Sequence, residues 1–358
     1  MDEPEFLFEL RVCRWAERAW PPTGERDDDT AVLVARQLGV RSRRWDTLVV
    51  ECDADALAAR AVFGDERLDS DLLHVVRHAP ATYTYYRDAL PDPGYPWRYV
   101  REAVHAAADR DLVETRRGQG NRVELRRRYR YPDWVNRIVA VENKPDLTAS
   151  AARALSDQLE RDVALGLADE VWVATRAAGE GVEPALYERL PVEAGILAVD
   201  GEQCSSSASG TSSRPVDEER VDVAWNATAL AVDEPGTRIT ERPDGGEHDA
   251  SAARFEYVDP EWKAEKRRAI AERAYERGWR SYPDTMRPDC RAFEIRDPDV
   301  PLPYCTAKER HVTAAECRGS CPSFGPEPPT WRQKGWPVDG GPGKGFQRVL
   351  DRQRDRRR

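Results

Sequence analysis

Glu142 and Lys144 stand two residues apart, directly after the apolar run Ile138-Val139-Ala140-Val141. Such a run reads as a buried strand, and residues i and i+2 of a strand share a face, so the acid and the amine leave the strand end on the same side. Charges at the end of a buried strand need a reason to be there. A carboxylate in that position can bind Mg2+, while an ammonium beside it orients or stabilises an attacking hydroxide, as hydrolysis of a phosphodiester requires. Taken alone, Glu-x-Lys also describes a surface ion pair. Two of the aspartates upstream of this pair stand out. Asp46 opens the β-branched run Thr47-Leu48-Val49-Val50 after Arg43-Arg44-Trp45, whereas Asp133 follows Pro132 with only eight residues between it and Glu142, little room for a hairpin.

Two other clusters carry chemistry. Arg116, Arg117, Arg122, Arg126, Arg127, Arg128 and Arg130 form the densest basic run in a chain of net charge -10. Guanidinium groups reach backbone phosphates through paired hydrogen bonds that survive salt better than diffuse attraction does, so this run is expected to meet DNA. Arg98 and Arg101, beside Trp97 and Tyr99, open a helix whose first turn would face the groove. The competing readings are a protein-contact surface, or arginines that neutralise neighbouring carboxylates. Near the C-terminus, Cys290, Cys305, Cys317 and Cys321 could supply four thiolates to a tetrahedral Zn2+ or to an iron-sulfur cluster. Only the last two are closely spaced, unlike a zinc ribbon, while Cys13, Cys52 and Cys204 are isolated. His311 is a possible substitute ligand or an exposed loop residue. The stretch 340–345, Gly-Gly-Pro-Gly-Lys-Gly, follows no strand and reads as a flexible tail.

These groups need elements to position them. Apolar spacing predicts an amphipathic helix over 5–20, stopped by Pro21-Pro22, and a second helix over 30–38 that ends at Gly39. The strand at 47–50 follows. Helices are predicted at 72–76, after the cap candidates Asp69 and Ser70, at 83–90, and from Pro96 to 108; strands at 112–115 and 122–125 flank a Gly-Gln-Gly-Asn tip. Three helices and a two-stranded wing are the winged-helix order. Beyond it, strand 138–141, helix 148–165, strand 171–174, helix 184–190 and strand 195–199 make an α/β arrangement. The serine-rich 205–213 reads as a linker, 221–232 as a strand or hairpin, 237–252 as disordered, and 259–277 as a solvated, charge-laced helix.

With 358 residues the chain suits two or three domains. No stretch is apolar enough to span a membrane and the first residues are acidic, so a cytoplasmic protein is expected. High charge with few lysines resembles the proteins of salt-loving archaea. At molar salt the Debye length is about 3 Å, so any nucleic-acid contact would be short-range, and an acidic total does not exclude DNA.

The strand ending in Glu142-x-Lys144, the helix and strand after it, and the upstream Asp46 resemble the PD-(D/E)xK nuclease superfamily. Its core is helix, three antiparallel strands, helix, strand, with Asp on the second strand and Glu-x-Lys on the third. The resemblance covers residues 5–60 and 130–200. It implies an α/β, restriction-endonuclease-like core in two parts, 1–64 and 131–204, around an inserted winged helix at 65–130. A linker at 205–255, a charged helix at 256–282, a four-Cys metal-binding module at 283–345 and a basic tail at 346–358 would follow. It further implies Mg2+ held by Asp46 or Asp133 together with Glu142, and Lys144 assisting water. Glu9 matches an acidic outer ligand on the first helix, where a solvated face is the alternative. Gln158 matches the glutamine that nuclease domains of recombination helicases carry on the helix after Glu-x-Lys; those domains place Tyr four residues later, where this chain has Asp162. The expected function is a metal-dependent DNA endonuclease or repair nuclease, with DNA as partner and a homodimer as a further option. A DNA-binding regulator on a nuclease fold that no longer cuts is the rival expectation, and an adaptor that binds proteins is a third.

Overall fold

A computed structural model describes residues 5–41, 43–146, 149–177, 182, 184–200, 220–241, 254–287, 290–296, 302–317 and 320–325. The serine-rich linker, Cys204, the 340–345 stretch and the basic tail lie outside the described residues. The chain divides into two compact units, Met1–Arg14 with Trp279–Arg358, and Trp15–Gly278. The first helix, α1 (Glu5–Ala19), begins in one and ends in the other.

The larger unit is a mixed α/β fold around a six-stranded sheet. Its strands are β1 (Thr30–Val40), β2 (Arg43–Asp53), β6 (Val135–Asn143), β7 (Glu170–Arg176), β8 (Gly195–Val199) and β9 (Val221–Trp225), in that spatial order. The pairs β1–β2 and β2–β6 are antiparallel, β6–β7 and β7–β8 are parallel, and β9 returns antiparallel to β8. Parallel neighbours need a crossover, and α6 (Ala149–Leu165) and α7 (Ala185–Arg189) supply it.

The helix expected over 30–38 is instead β1. The run Ala31-Val32-Leu33-Val34-Ala35 suits either element by apolar content alone, and eleven residues of β2 offer it a ladder from Thr30↔Asp53 to Val40↔Arg43. Gly39 is no helix cap. A Cβ there would stand 2.2 Å from the Arg43 carbonyl oxygen, so glycine lets the two strands approach. Of the stretch expected to be disordered, residues 237–241 are ordered instead, because β10 (Gly236–Glu241) pairs with β11 (Arg254–Val258), and 242–252 lie outside the described residues. Helix α2 (Ala54–Ala61), capped by the Asp53 side chain on Ala56 N–H, has no counterpart among the elements expected from sequence.

Helix α8 (Pro260–Arg277) has the expected bounds but is not simply solvated. Ile270, Ala271 and Ala274 are buried on it, as are Lys263 and Glu272. Glu272 meets Arg60 of α2 in a salt bridge of 2.6 Å with both side chains fully buried, and accepts further bonds from Tyr131 OH and Leu68 N–H. Polar residue types conceal this face, because the buried pair satisfies itself.

Between β2 and β6 the chain forms a subdomain with its own apolar core, which includes Leu72, Val75, Val76, Val100, Val104 and Leu125. It comprises α3 (Ser70–His78), β3 (Thr84–Tyr85), α4 (Tyr86–Ala89), α5 (Trp97–Asp109), β4 (Val113–Arg117) and β5 (Val123–Arg127), with a sheet in the order β3-β5-β4. Part of the helix expected at 83–90 is thus the short strand β3.

In the smaller unit, β12 (Phe293–Arg296), β13 (Leu302–Cys305) and β14 (Arg310–His311) form an antiparallel sheet. Phe6 packs edge-on against Tyr282, ring centroids 6.1 Å apart. Among the described residues no helix is long and apolar enough to cross a membrane.

Candidate functional site

The antiparallel register of β2 and β6 pairs Thr47 with Val141, which sets Asp46 across from Glu142 at the ends of the two strands. Cross-strand partners share a face, so the two carboxylates and Lys144 project together. Lys144 Nζ lies 3.9 Å from Asp46 Oδ2. That same oxygen accepts the Asn143 backbone N–H at 3.0 Å, while Oδ1 accepts from Gln37 Nε2 at 3.2 Å. Gln37 sits in β1 with a φ of 54°, a strained conformation for a side-chain-bearing residue within a strand. Asn143 points to the other face, where its Nδ2 donates to Thr47 Oγ1 at 2.8 Å and its buried Oδ1 has no hydrogen-bond partner among the described residues.

Glu142 is nearly inaccessible, with 5% of its side chain exposed. Its Oε1 takes a 2.6 Å bond from Arg43 Nη2, and its Oε2 a 2.8 Å bond from Gln158 Nε2. Arg43 in turn grips Asp162 with Nε and Nη2. Gln158 and Asp162 are one helical turn apart on α6, so the same helix face supplies both. Burial, then the charge of Asp46, pushes the Glu142 carboxyl up to about 8; Arg43 offsets only part of this. Burial likewise raises Asp162 against the pull of Arg43. Desolvation opposes the charge on Arg43, but Asp162 and Glu142 outweigh it and hold the guanidinium above its usual value. Two carboxylates thus share a poorly solvated corner, Arg43 serving the inner one and Lys144 the outer.

Of the residues singled out by sequence, Asp46, Glu142, Lys144 and Gln158 come together. Asp133 does not. It precedes β6 at the opposite end, so the nine residues of that strand, at about 3.3 Å each, separate it from Asn143. There it lines a pocket with Tyr131, Trp134, Arg267 and Arg268. Glu9 is buried on the part of α1 that belongs to the smaller unit. Sequence reasoning misses Arg43, Gln37 and Asp162 as site residues. The signals were slight: Arg43 stands three positions before Asp46, and Asp162 stands out only as a departure from a family pattern.

The basic hairpin is more neutral than its sequence implies. Glu114 lies opposite Arg126 and Arg116 opposite Glu124, with ion pairs of 2.6 and 2.7 Å. Arg128 pairs with Asp111 at 3.2 Å. Tyr83 lies between Arg116 and Arg126, its ring centroid 4.3 and 4.7 Å from their guanidinium carbons. Arg117, Arg122 and Arg127 are exposed and, among the described residues, have no carboxylate within ion-pair distance; Arg122 covers the Tyr85 ring at 5.1 Å. Arg98 and Arg101 are exposed at the start of α5, Arg98 stacked on Tyr99.

Cys290, Cys305, Cys317 and Cys321 line one cavity of the smaller unit, and none is in a disulfide. Burial raises the Cys317 thiol, and the three other thiols add to the shift. His311 does not line that cavity; its Nδ1 contacts the Pro303 carbonyl at 3.2 Å. Among the described residues, no group of three or more His, Cys, Asp or Glu is gathered closely enough to hold a metal ion as it stands.

No curated protein and no solved structure matches the chain. The family described as "Family of unknown function (DUF5787)" matches residues 33–326, which span β1 to the four-cysteine region, and the chain belongs to that family.

Proposed function

We propose that this protein is a Mg2+-dependent nuclease that hydrolyses phosphodiester bonds in DNA, with Asp46 and Glu142 as metal ligands and Lys144 as the residue that assists the attacking water. The observation that carries this reading is the meeting of Asp46, Glu142 and Lys144 at adjacent strand ends, with the Glu142 carboxyl pushed up to about 8 by burial and by Asp46. Burial and the charge of Asp46 raise the Glu142 carboxyl in spite of Arg43, and a divalent cation would reverse that balance. The donor set fits such an ion. Each carboxylate oxygen that accepts one hydrogen bond keeps lone-pair capacity for a second interaction. When bound, Mg2+ would polarise the phosphoryl oxygen and supply hydroxide at neutral pH.

The protein's own groups have separable tasks. Gln158 and Arg43 hold the Glu142 carboxylate in one orientation, and the Asn143 N–H and Gln37 hold Asp46. Lys144, a third exposed, is placed to steer a water or the scissile phosphate. The order α1, β1, β2, β6, α6, β7, with Asp46 on the second strand and Glu142 on the third, supports the likeness to the PD-(D/E)xK core. The subdomain between β2 and β6 is read as the winged helix that docks the duplex.

One observation favours a second reading. The 2.6 Å contact of Arg43 with Glu142 supplies a cation from the protein itself, which suits a DNA-binding regulator that has stopped cutting. Nicking of supercoiled plasmid in Mg2+ distinguishes the two. The nuclease reading expects wild-type nicking that is abolished in Glu142→Ala and Lys144→Ala; equal nicking by all three proteins would remove the assigned site, and binding without nicking would favour the regulator.

A further inference from the structure

We propose that Cys290, Cys305, Cys317 and Cys321 bind one structural Zn2+ and that its binding completes the fold of the C-terminal module. The four thiols come from three stretches of chain, around 290, 305 and 317–321, yet line one cavity. Chance does not easily converge all four. Local structure fixes the backbone at each. Cys290, Cys305 and Cys321 each head a tight turn, their carbonyls accepting the N–H of Phe293, Lys308 and Phe324 at 3.1, 3.2 and 3.1 Å. The pairing of Phe293 with Cys305 ties the first turn to the second. Cys317 is fixed differently, at the end of a turn in which Glu316 accepts from Thr313 N–H while Thr313 accepts from Glu316 N–H.

A second observation points to a missing staple. The module's described sheet has strands of four, four and two residues, and the buried apolar side chains described within 290–325 are Cys290, Phe293, Pro303 and Val312. Among the described residues that is a small apolar core for the segment, and small modules of this kind rely on metal or disulfide. None of the four cysteines forms a disulfide. Arg287 and Lys308 line the same cavity, and among the described residues its one carboxylate, Glu316, is committed to Arg310. Four thiols around one cavity are the donor set of a closed, tetrahedral zinc site. Binding draws the thiols from the cavity wall to sulfur-zinc distances of about 2.3 Å, and each of the four loses one proton to solvent as its bond to zinc forms.

The test uses the full chain. Purified protein should carry zinc at roughly one ion per chain, or take it up from zinc chloride against a chromophoric chelator. The Cys204→Ser and Glu142→Gln variants should keep it and the double variant Cys317→Ser/Cys321→Ser should lose it, so failure here is distinct from failure of the nuclease reading. Because the double variant could simply misfold, wild-type protein stripped by chelator gives an independent readout: four additional thiols should react with a disulfide reagent and be protected again by zinc. Absence of zinc uptake, iron with acid-labile sulfide in its place, or full zinc in the double variant would each overturn the proposal.

Discussion

Arg43 holds Asp162 through two nitrogens, with Nε 2.7 Å from Oδ1 and Nη2 2.7 Å from Oδ2, across 119 positions of sequence. The same guanidinium reaches Glu142, so one strand residue organises both a helix acid and a strand acid. Removing it leaves two buried carboxylates facing one another. Arg43→Ala should therefore lower stability by about 3–5 kcal/mol at neutral pH, the usual consequence of breaking a buried pair from one side. Asp162→Asn paired with Arg43→Met should cost much less than Arg43→Ala alone. Chemical denaturation of the three proteins measures this, and equal losses would show that the pair is not coupled.

The raised carboxyl of Glu142 has a definite sign in a pH titration. Its folded value of about 8 exceeds the ordinary 4.5, so the folded state binds the proton more tightly than the unfolded chain does. This contribution is full below about pH 4.5 and is lost as pH rises through about 8, on the order of a few kcal/mol in total. In chelator, Glu142→Gln should consequently gain stability over wild type at pH 8 and show little gain at pH 4.5. Mg2+ at pH 8 should raise the melting temperature of wild type and leave that of Glu142→Gln unmoved. A wild-type melting temperature independent of both pH and Mg2+ would contradict the assignment.

The two aspartates separate cleanly in a cleavage assay. Asp46→Ala should reduce plasmid nicking at least ~100-fold, as loss of a metal ligand or of electrostatic support for the reaction does. Asp133→Ala, at the other end of β6, should nick at the wild-type rate. The reverse ranking would transfer the site to the pocket around Arg267 and Arg268.

Ion pairing within the hairpin ranks its arginines for DNA binding. Among the described residues, Arg117, Arg122 and Arg127 have no carboxylate within ion-pair distance, whereas Arg116, Arg126 and Arg128 are matched by Glu124, Glu114 and Asp111. Replacing the first three by Ala should weaken duplex binding in a gel shift and reduce the salt slope by roughly 1 for each phosphate that is no longer neutralised. Replacing the second three should affect binding less and hairpin stability more. Identical effects of the two triplets would show that the native pairs rearrange on DNA.

The fully buried Arg60–Glu272 pair joins α2 to α8 and, through Leu68 N–H, to the start of the inserted subdomain. Glu272→Ala strands a guanidinium with no exposed surface and should cost about 3–5 kcal/mol. Differential scanning calorimetry will read this directly, and a destabilisation below about 1 kcal/mol would mean that water enters the gap and solvates the guanidinium.

Local pattern is enough to read much of the molecule. The strand before Glu142, helix α6, the α3 cap at Asp69, helix α5 and both strands of the basic hairpin follow from periodicity, capping and turn chemistry that act within a few residues. Where local signals are ambiguous, they mislead. The run at 31–35 is apolar on both faces and could be helix or strand, and only its pairing with β2 decides. In α8 the residue types are polar while the burial is not, because Lys263 and Glu272 find partners far away in the chain.

By itself, then, the order of residues determined that an acid and an amine leave one strand end on one face, since the two-residue repeat of a strand is a property of its backbone. It also determined that arginines crowd one hairpin and cysteines one C-terminal segment. Only the tertiary structure decided which aspartate stands across from Glu142, that Arg43 and Asp162 brace it, and which hairpin arginines are already neutralised. Those outcomes rest on strand register and on helix placement over the sheet. Both are settled by the packing of residues distant in sequence, which no short window of sequence contains.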